Sequence, residues 1–302
     1  MADNPESITQ PIMLDSSQTP RYSEFRRVLR IFFGRKVAVI GLVFILLLII
    51  TAIFAPWLAP YDPNKLDLSN QLAQPSREHL LGTDTVGRDT LSRIIYGSRT
   101  SLTVGIVAVA SSAIVGELMG LIAAYYGGIV FAIIMRFTDA LMSIPMLINA
   151  LIIATLLGGG MKNVIIALAV GGVAGQCRMM CGQALSIKQN DYIMAERSTG
   201  VSDWRMIIHH IFPNAFPPLL VMITIALGST ILAEAGLSFL GIGISAPTSA
   251  WGSMVSDGRQ FLLELPILSL APGVAIMLVV FAFNLVGDGL RDALDPRLRG
   301  TL

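Results

Sequence analysis

Charge is scarce in this 302-residue sequence: only 14% of its residues are charged and 54% are hydrophobic, against roughly 25% charged in an average soluble domain. A chain of mean hydropathy +0.69 cannot hide its apolar surface in one soluble core. A net charge of +1 excludes the concentrated Lys and Arg of a nucleic-acid binder. Histidine occurs three times and cysteine twice. Cys177 and Cys181 stand four apart in CRMMC, on one face of a helix. They could pack, or begin a soft-metal or redox site, but zinc takes four ligands and the nearest histidines, His209 and His210, are 28 and 29 positions past Cys181. No metal site is expected. No block alternates like the strands of a membrane barrel, no repeat of fixed period appears, and the only stretch with a disordered composition is 1–18. No GxxxxGK followed by Ser or Thr occurs, so the chain has no phosphate-cradling P-loop.

What is present is a series of long apolar runs. Residues 1–36 form a basic lead-in carrying Arg21, Arg26, Arg27, Arg30, Arg35 and Lys36. Residues 37–58 follow, 22 positions without a charge, too long for a signal-peptide core and long enough to span a bilayer. A polar segment 59–100 separates this first span from apolar blocks at 101–125, 129–157, 164–185, 216–240 and 267–286. Six helical spans result, since helices satisfy their own backbone groups in lipid. An even number puts both termini on one side. That side carries 14 of the 21 Lys and Arg and the other carries seven, so the positive-inside rule predicts cytoplasmic termini, a periplasmic 59–100 loop, a five-helix core over 101–290 and a cytoplasmic tail at 291–302.

The longest internal polar stretch on the cytoplasmic side is NDYIMAERSTGVSDWRMIIHHIFPNAFPP, which overlaps a loop over 188–213. Asp191 offers an acidic start to one short helix and Gly200 falls where that helix ends. Ser202 and Asp203 cap a second, which Pro213 is expected to stop. Helix, Gly turn and helix make a compact knob able to press on a partner.

This stretch resembles the cytoplasmic signature loop of bacterial ABC-importer permeases, with Gly200 and Pro213 at the Gly and Pro positions and Met194, Ala195 and Glu196 at the E, A and A positions. The usual acid is thus a methionine. The resemblance narrows to the C-type permease of the dipeptide, oligopeptide and nickel group through HLLGTDTVGRDTLSRIIYGSRTSL, EAGLSFLGIG, PTSAWGSM and FAFNLVGDGLRDALDPRLR, in that order along the chain. It implies an all-α membrane protein with the type I importer permease architecture and no catalysis of its own. It implies as partners a homologous permease, two ABC ATPase subunits that bind ATP and Mg, an extracytoplasmic substrate-binding protein and membrane lipid, with no nucleic acid. This chain itself would bind no cofactor. It places ATPase coupling at Asp191, Ala195, Glu196, Arg197, Gly200, Asp203, Trp204 and Pro213. It places a periplasmic entrance or binding-protein contact at Gly82, Thr83, Asp84, Gly87, Arg88, Asp89 and Trp251. The implied substrate is a di- or oligopeptide, with nickel as the alternative inside the group.

Charges within the spans admit two readings each. Glu117, in GELMG, costs on the order of 2.5–3.5 kcal/mol at the centre of a span; it is either a pathway-lining acid or an interior side chain bonded to a neighbouring helix. An ion-coupled secondary transporter is the competing class, and it would need paired intramembrane charges. Arg136 and Asp139, three apart, are expected to pair on one helix face. Met142, Met146, Met179 and Met180 supply either an adaptable surface or flexible filler. Gly116 and Gly120 are spaced to let a neighbouring helix approach closely.

Overall fold

The computed structural model describes residues 21–294, with side chains from residue 26. The composition-based disorder of 1–18, and the tail beyond Leu294, lie outside the described residues. Among the described residues the chain is built of helices, and the sole β pairing is an isolated bridge between Thr83 and Asp89. Two helices open it, α1 (Arg21–Gly34) and α2 (Lys36–Ile53), and one further turn, α3 (Ala55–Leu58), follows. The core comprises α4 (Thr90–Tyr126), α5 (Gly128–Met142), α6 (Met146–Leu157), α7 (Met161–Lys188), α8 (Asp191–Ser198), α9 (Asp203–Arg205), α10 (Phe212–Phe239), α11 (Trp251–Gly258) and α12 (Ile267–Leu294).

Five helices are long and apolar enough to cross a membrane, and α5 with α6 makes a sixth span if the bent pair is one crossing. α2 shows how the solvent is read from the side chains. Val37, Ile40, Val43, Leu47 and Ile50 are exposed, whereas Ala38, Gly41 and Ala52 are buried against the bundle. An apolar outer face and a small-residue inner face are what a lipid-facing helix requires.

The most extensive helix pair is α4 with α7. Ser112, Gly116 and Gly120 form a stripe on α4 that lies directly on the α7 backbone: a side-chain carbon at Gly116 would come within 2.7 Å of Gln176 Cβ and 3.0 Å of the Cys177 nitrogen, and one at Gly120 within 2.9 Å of the Cys181 nitrogen. Cys177 and Cys181 are buried free thiols in this seam, so packing is the role the structure gives them.

Four expectations are corrected. The stretch 129–157 is not one straight helix: α5 and α6 meet at 88°. Pro145 precedes α6 as its N-cap, and a proline drives its preceding residue out of the helical region. The carbonyls freed there, of Leu141 and Ile144, accept from Asn149 Nδ2 at 2.8 and 3.2 Å. Second, Pro213 does not stop a helix. α9, a π turn at Met206–Ile211 and α10 run on as one helix, Asp203–Phe239. In the π turn the Phe212 N–H bonds to the Ile207 carbonyl, and this widened turn gives the proline ring room that an α turn denies it. Third, Asp139 pairs with Arg178 of α7 rather than with Arg136. Both partners are about half exposed, so the pair contributes under about 1 kcal/mol. The segment expected as loop through residue 100 is also shorter, because α4 begins at Thr90 with Asp89 Oδ2 accepting from the Ser92 N–H at 2.8 Å.

Candidate coupling knob and translocation groove

At one end of the bundle α8 and α9 project beyond α7. Their inner residues are wedges: Ile193, Met206, Ile207 and Ile211 are buried in a cluster with Leu121, Met180, Cys181 and Ile187. Polar ties hold the knob to α4 and α10, and a further contact joins α7 to α4 at its base. Tyr125 Oη donates to Asp203 Oδ1 at 2.5 Å, Asn214 Nδ2 donates to Tyr192 Oη at 3.3 Å, and Lys188 Nζ donates to the Ala124 and Tyr125 carbonyls at 3.1 and 2.6 Å. The Lys188 contact places a cation on the C-terminal carbonyls of α4, where the helix dipole favours it. Gly200 turns the chain between α8 and α9 at φ +79°, a region costly for residues with a Cβ.

The outer face of the knob carries Asp191, Ala195, Arg197, Trp204 and Pro213, all exposed, with Glu196 half-buried. Trp204 is 72% exposed. The structure therefore brings the expected coupling residues onto one protrusion, although Asp203 is partly spent on Tyr125.

The expected entrance residues form a cluster of a different kind at the opposite end. Asp84 Oδ1 accepts from the N–H groups of Val86 and Arg88 at 3.0 and 2.9 Å, and its Oδ2 accepts from Arg88 Nε at 2.6 Å. Arg93 Nε lies 3.7 Å from the same oxygen, and His79 Nδ1 lies 3.0 Å from Asp89 Oδ1. Gly82 and Gly87 supply φ of +72° and +78°. Asp257 of α11 faces Arg93 and Arg88; burial pushes its carboxyl above the ordinary range while the two arginines pull it back. Gly82, Thr83, Gly87, Arg88 and Asp89 are buried and Asp84 is half-buried, and the side chains of Asp84 and Asp89 fasten the 79–89 segment to the start of α4. Trp251 is buried as well. It is 1% exposed, packs on Gly97 and donates Nε1–H to the Ile94 carbonyl at 3.0 Å, because α4 reaches past the predicted span to cover it.

Between the two ends runs a groove. One cleft of about 600 Å³ is lined by Met179, Pro218, Met222, Ile225, Ser229 and Arg291. A second, of about 310 Å³, is lined by Met142, Pro145, Met146, Gly175, Gln176 and Ser229, with Met222 and Ala226 shared. The bend at Pro145 makes the second cleft. Gln176 is 2% exposed and its Oε1 has no partner among the described residues, which leaves an acceptor in the cleft wall. Of the four methionines singled out in the sequence, Met142, Met146 and Met179 line the groove and only Met180 is fully buried filler.

Glu117 lines neither cleft. It is 8% exposed, with Oε1 unpartnered among the described residues, which fits an interior side chain. Glu117→Gln is expected to leave uptake unchanged across pH 5–8; a lost or shifted pH profile in vesicles would restore the pathway role. Glu234, in the EAGLSFLGIG run, was legible only as an acid among apolar residues. It is fully buried, and its Oε1 accepts from Ser238 Oγ at 2.7 Å. Ser238 Oγ in turn accepts the Ile244 N–H at 3.0 Å, fastening the segment that leaves α10.

Comparison with known proteins decides the family. Residues 116–300 match the family described as binding-protein-dependent transport system inner membrane component. The chain belongs to this family. Its residues 23–75 also match the N-terminal transmembrane domain of oligopeptide transport permease C. Among relatives, it is 43% identical to a dipeptide transport system permease protein of Alkalihalophilus pseudofirmus, over 87% of each chain. It is 40% identical to a glutathione transport system permease protein of Pectobacterium atrosepticum, over 96% of each chain. A solved structure titled for inward-facing conformations of the MetNI methionine ABC transporter shares the fold, with a TM-score of 0.55 at 19% identity, covering 68% of this chain and 98% of that one. This inner membrane component is thus a multi-pass protein of a bacterial inner membrane with the ABC importer permease fold, and a transport component.

Proposed function

We propose that the chain is one half of the translocation pathway of an ATP-driven importer of di- and oligopeptides, paired with a homologous permease, two ATPase subunits and an extracytoplasmic binding protein. The observation that carries this reading is the α8–α9 knob, tied to α4 and α10 yet exposing Trp204. The sequence has no P-loop, so ATP and Mg belong to the ATPase partners and this chain binds neither. The loop charge bias favours cytoplasmic termini and a cytoplasmic knob.

Coupling follows from continuity. Trp204 and the groove residues Met222, Ala226 and Ser229 lie on one continuous helix, separated by 18 to 25 positions or about 27–38 Å. A displacement of the knob by a closing ATPase pair tilts that helix and changes the groove at once. The lever works because two docked positions favour two arrangements of the bundle.

Peptide fits the groove better than a metal ion does. Thioethers of Met142, Met146, Met179 and Met222 give an adaptable apolar wall, Ser229 can bond a backbone amide, and Arg291 can meet a carboxylate. No three His, Cys, Asp or Glu converge among the described residues. The relatives named for dipeptide and glutathione transport support the same class. The reconstituted complex is expected to accumulate a labelled dipeptide or tripeptide and not nickel; accumulation of nickel alone would overturn the substrate assignment.

A further inference from the structure

The first helix has two faces that the bundle and the importer reading leave unequal in use. On the inner face Val28 and Ile31 pack against the core, Phe32 is 6% exposed and lies on Gly289 of α12, and Arg35 pairs with Asp292. On the outer face Arg26, Leu29, Arg30 and Phe33 follow one another at helical spacing and are all exposed, Leu29 by 39% and Phe33 by 55%. Arg26, Arg27, Arg30 and Lys36 have no ion pair among the described residues. Arg27 in addition keeps a buried Nε without an acceptor. The two acids on the adjacent stretch of α12 are Asp288, which is exposed, and Asp292, which Arg35 occupies.

The depth of this helix is set by its neighbour. α1 ends at Gly34, Arg35 takes an extended conformation at φ −92° and ψ 101°, and α2 then begins. Val37 and Ile40, in the first turns of α2, are 55% and 63% exposed, as side chains facing acyl chains should be. A headgroup layer that begins at the break would meet Leu29 and Phe33, which are exposed as Val37 and Ile40 are. A soluble polyanion would explain the arginines but not the two apolar side chains between them.

We propose that α1 is an interfacial helix whose Arg26, Arg27 and Arg30 bind the phosphate headgroups of anionic phospholipids while Leu29 and Phe33 enter the acyl boundary. A basic amphipathic helix next to a span is the arrangement that anionic headgroups attract.

The test uses the full chain in neutral detergent, titrated with phosphatidylglycerol, phosphatidylcholine or inorganic phosphate while thermal unfolding is followed. Phosphatidylglycerol is expected to raise the Tm, and phosphatidylcholine and free phosphate are not. Its apparent affinity should fall about fivefold for R26Q or R30Q alone and about 30-fold for the pair, and stay within about twofold in R26K/R30K. Equal stabilisation by phosphatidylcholine, equal stabilisation by phosphate, or an R26Q/R30Q affinity like that of the unaltered chain would each overturn the proposal. Should R26Q/R30Q fail to fold, the unaltered chain still decides: binding must weaken as salt rises from about 50 to 500 mM, and salt-independent binding refutes the headgroup site.

Discussion

Gly120→Val is expected to abolish accumulation of the folded chain, whereas Gly182→Ala on the partner helix should leave it intact. A side-chain carbon at residue 120 would run into the Cys177 carbonyl, the Cys181 nitrogen and Met180 Cβ, of which the first two are backbone. No rotamer change relieves a backbone clash, so α4 and α7 must separate along the seam that joins them most extensively. Overpacking a core by side-chain atoms alone costs about 1–3 kcal/mol, and moving a helix apart costs more, a large share of the roughly 5–15 kcal/mol that holds a typical domain together. At Gly182, also on α7, a side-chain carbon meets nothing within 4 Å, and alanine is the better helix former there by about 1 kcal/mol. The yield of monodisperse protein in detergent, with fluorescence-detected melting, separates the two. A Gly120→Val chain that melts like the unaltered one would mean that the α4–α7 contact is looser than this seam.

The second large effect is at the knob. Trp204→Ala is expected to weaken ATPase attachment by 30-fold or more while shifting the melting of the permease itself very little. An indole left 72% exposed gives its own fold almost nothing, so its removal falls in the range of about 0.5 kcal/mol typical of surface changes. As a central aromatic of a docked interface it would contribute about 2–4 kcal/mol, which is about 30-fold to 1,000-fold in affinity. Trp204→Phe should recover part of the loss. Co-purification of the ATPases at the ordinary stoichiometry and affinity with Trp204→Ala would show that the partner seats elsewhere on the knob.

The long runs without charge made the spans legible, because lipid leaves a helix few alternatives and a run of about 20 apolar residues fixes its length. The knob was legible as well, since Gly200 at positive φ and the short helix before it are local events. What hydropathy could not separate was 129–157, in which Pro145 hides within an apolar stretch and the bend depends on Asn149 taking up the freed carbonyls. Pro213 misled for the opposite reason. A proline ordinarily ends a helix, and here the π turn at Met206–Ile211 precedes one that sits inside a continuous lever. The motif GTDTVGRD was conspicuous, yet sequence gives no sign that its Asp84 and Arg88 would satisfy each other inside the fold. Gln176 and Ser229 carried no signal at all. The cleft they share exists only after α5 and α6 have bent around it.

The most direct test is ATP hydrolysis by the reconstituted permease pair and ATPases as peptide-loaded binding protein is added. The knob-and-groove account predicts stimulation of hydrolysis that requires both peptide and binding protein and disappears with Trp204→Ala. Peptide uptake by this chain without ATPases, or hydrolysis indifferent to peptide and to Trp204, would contradict it.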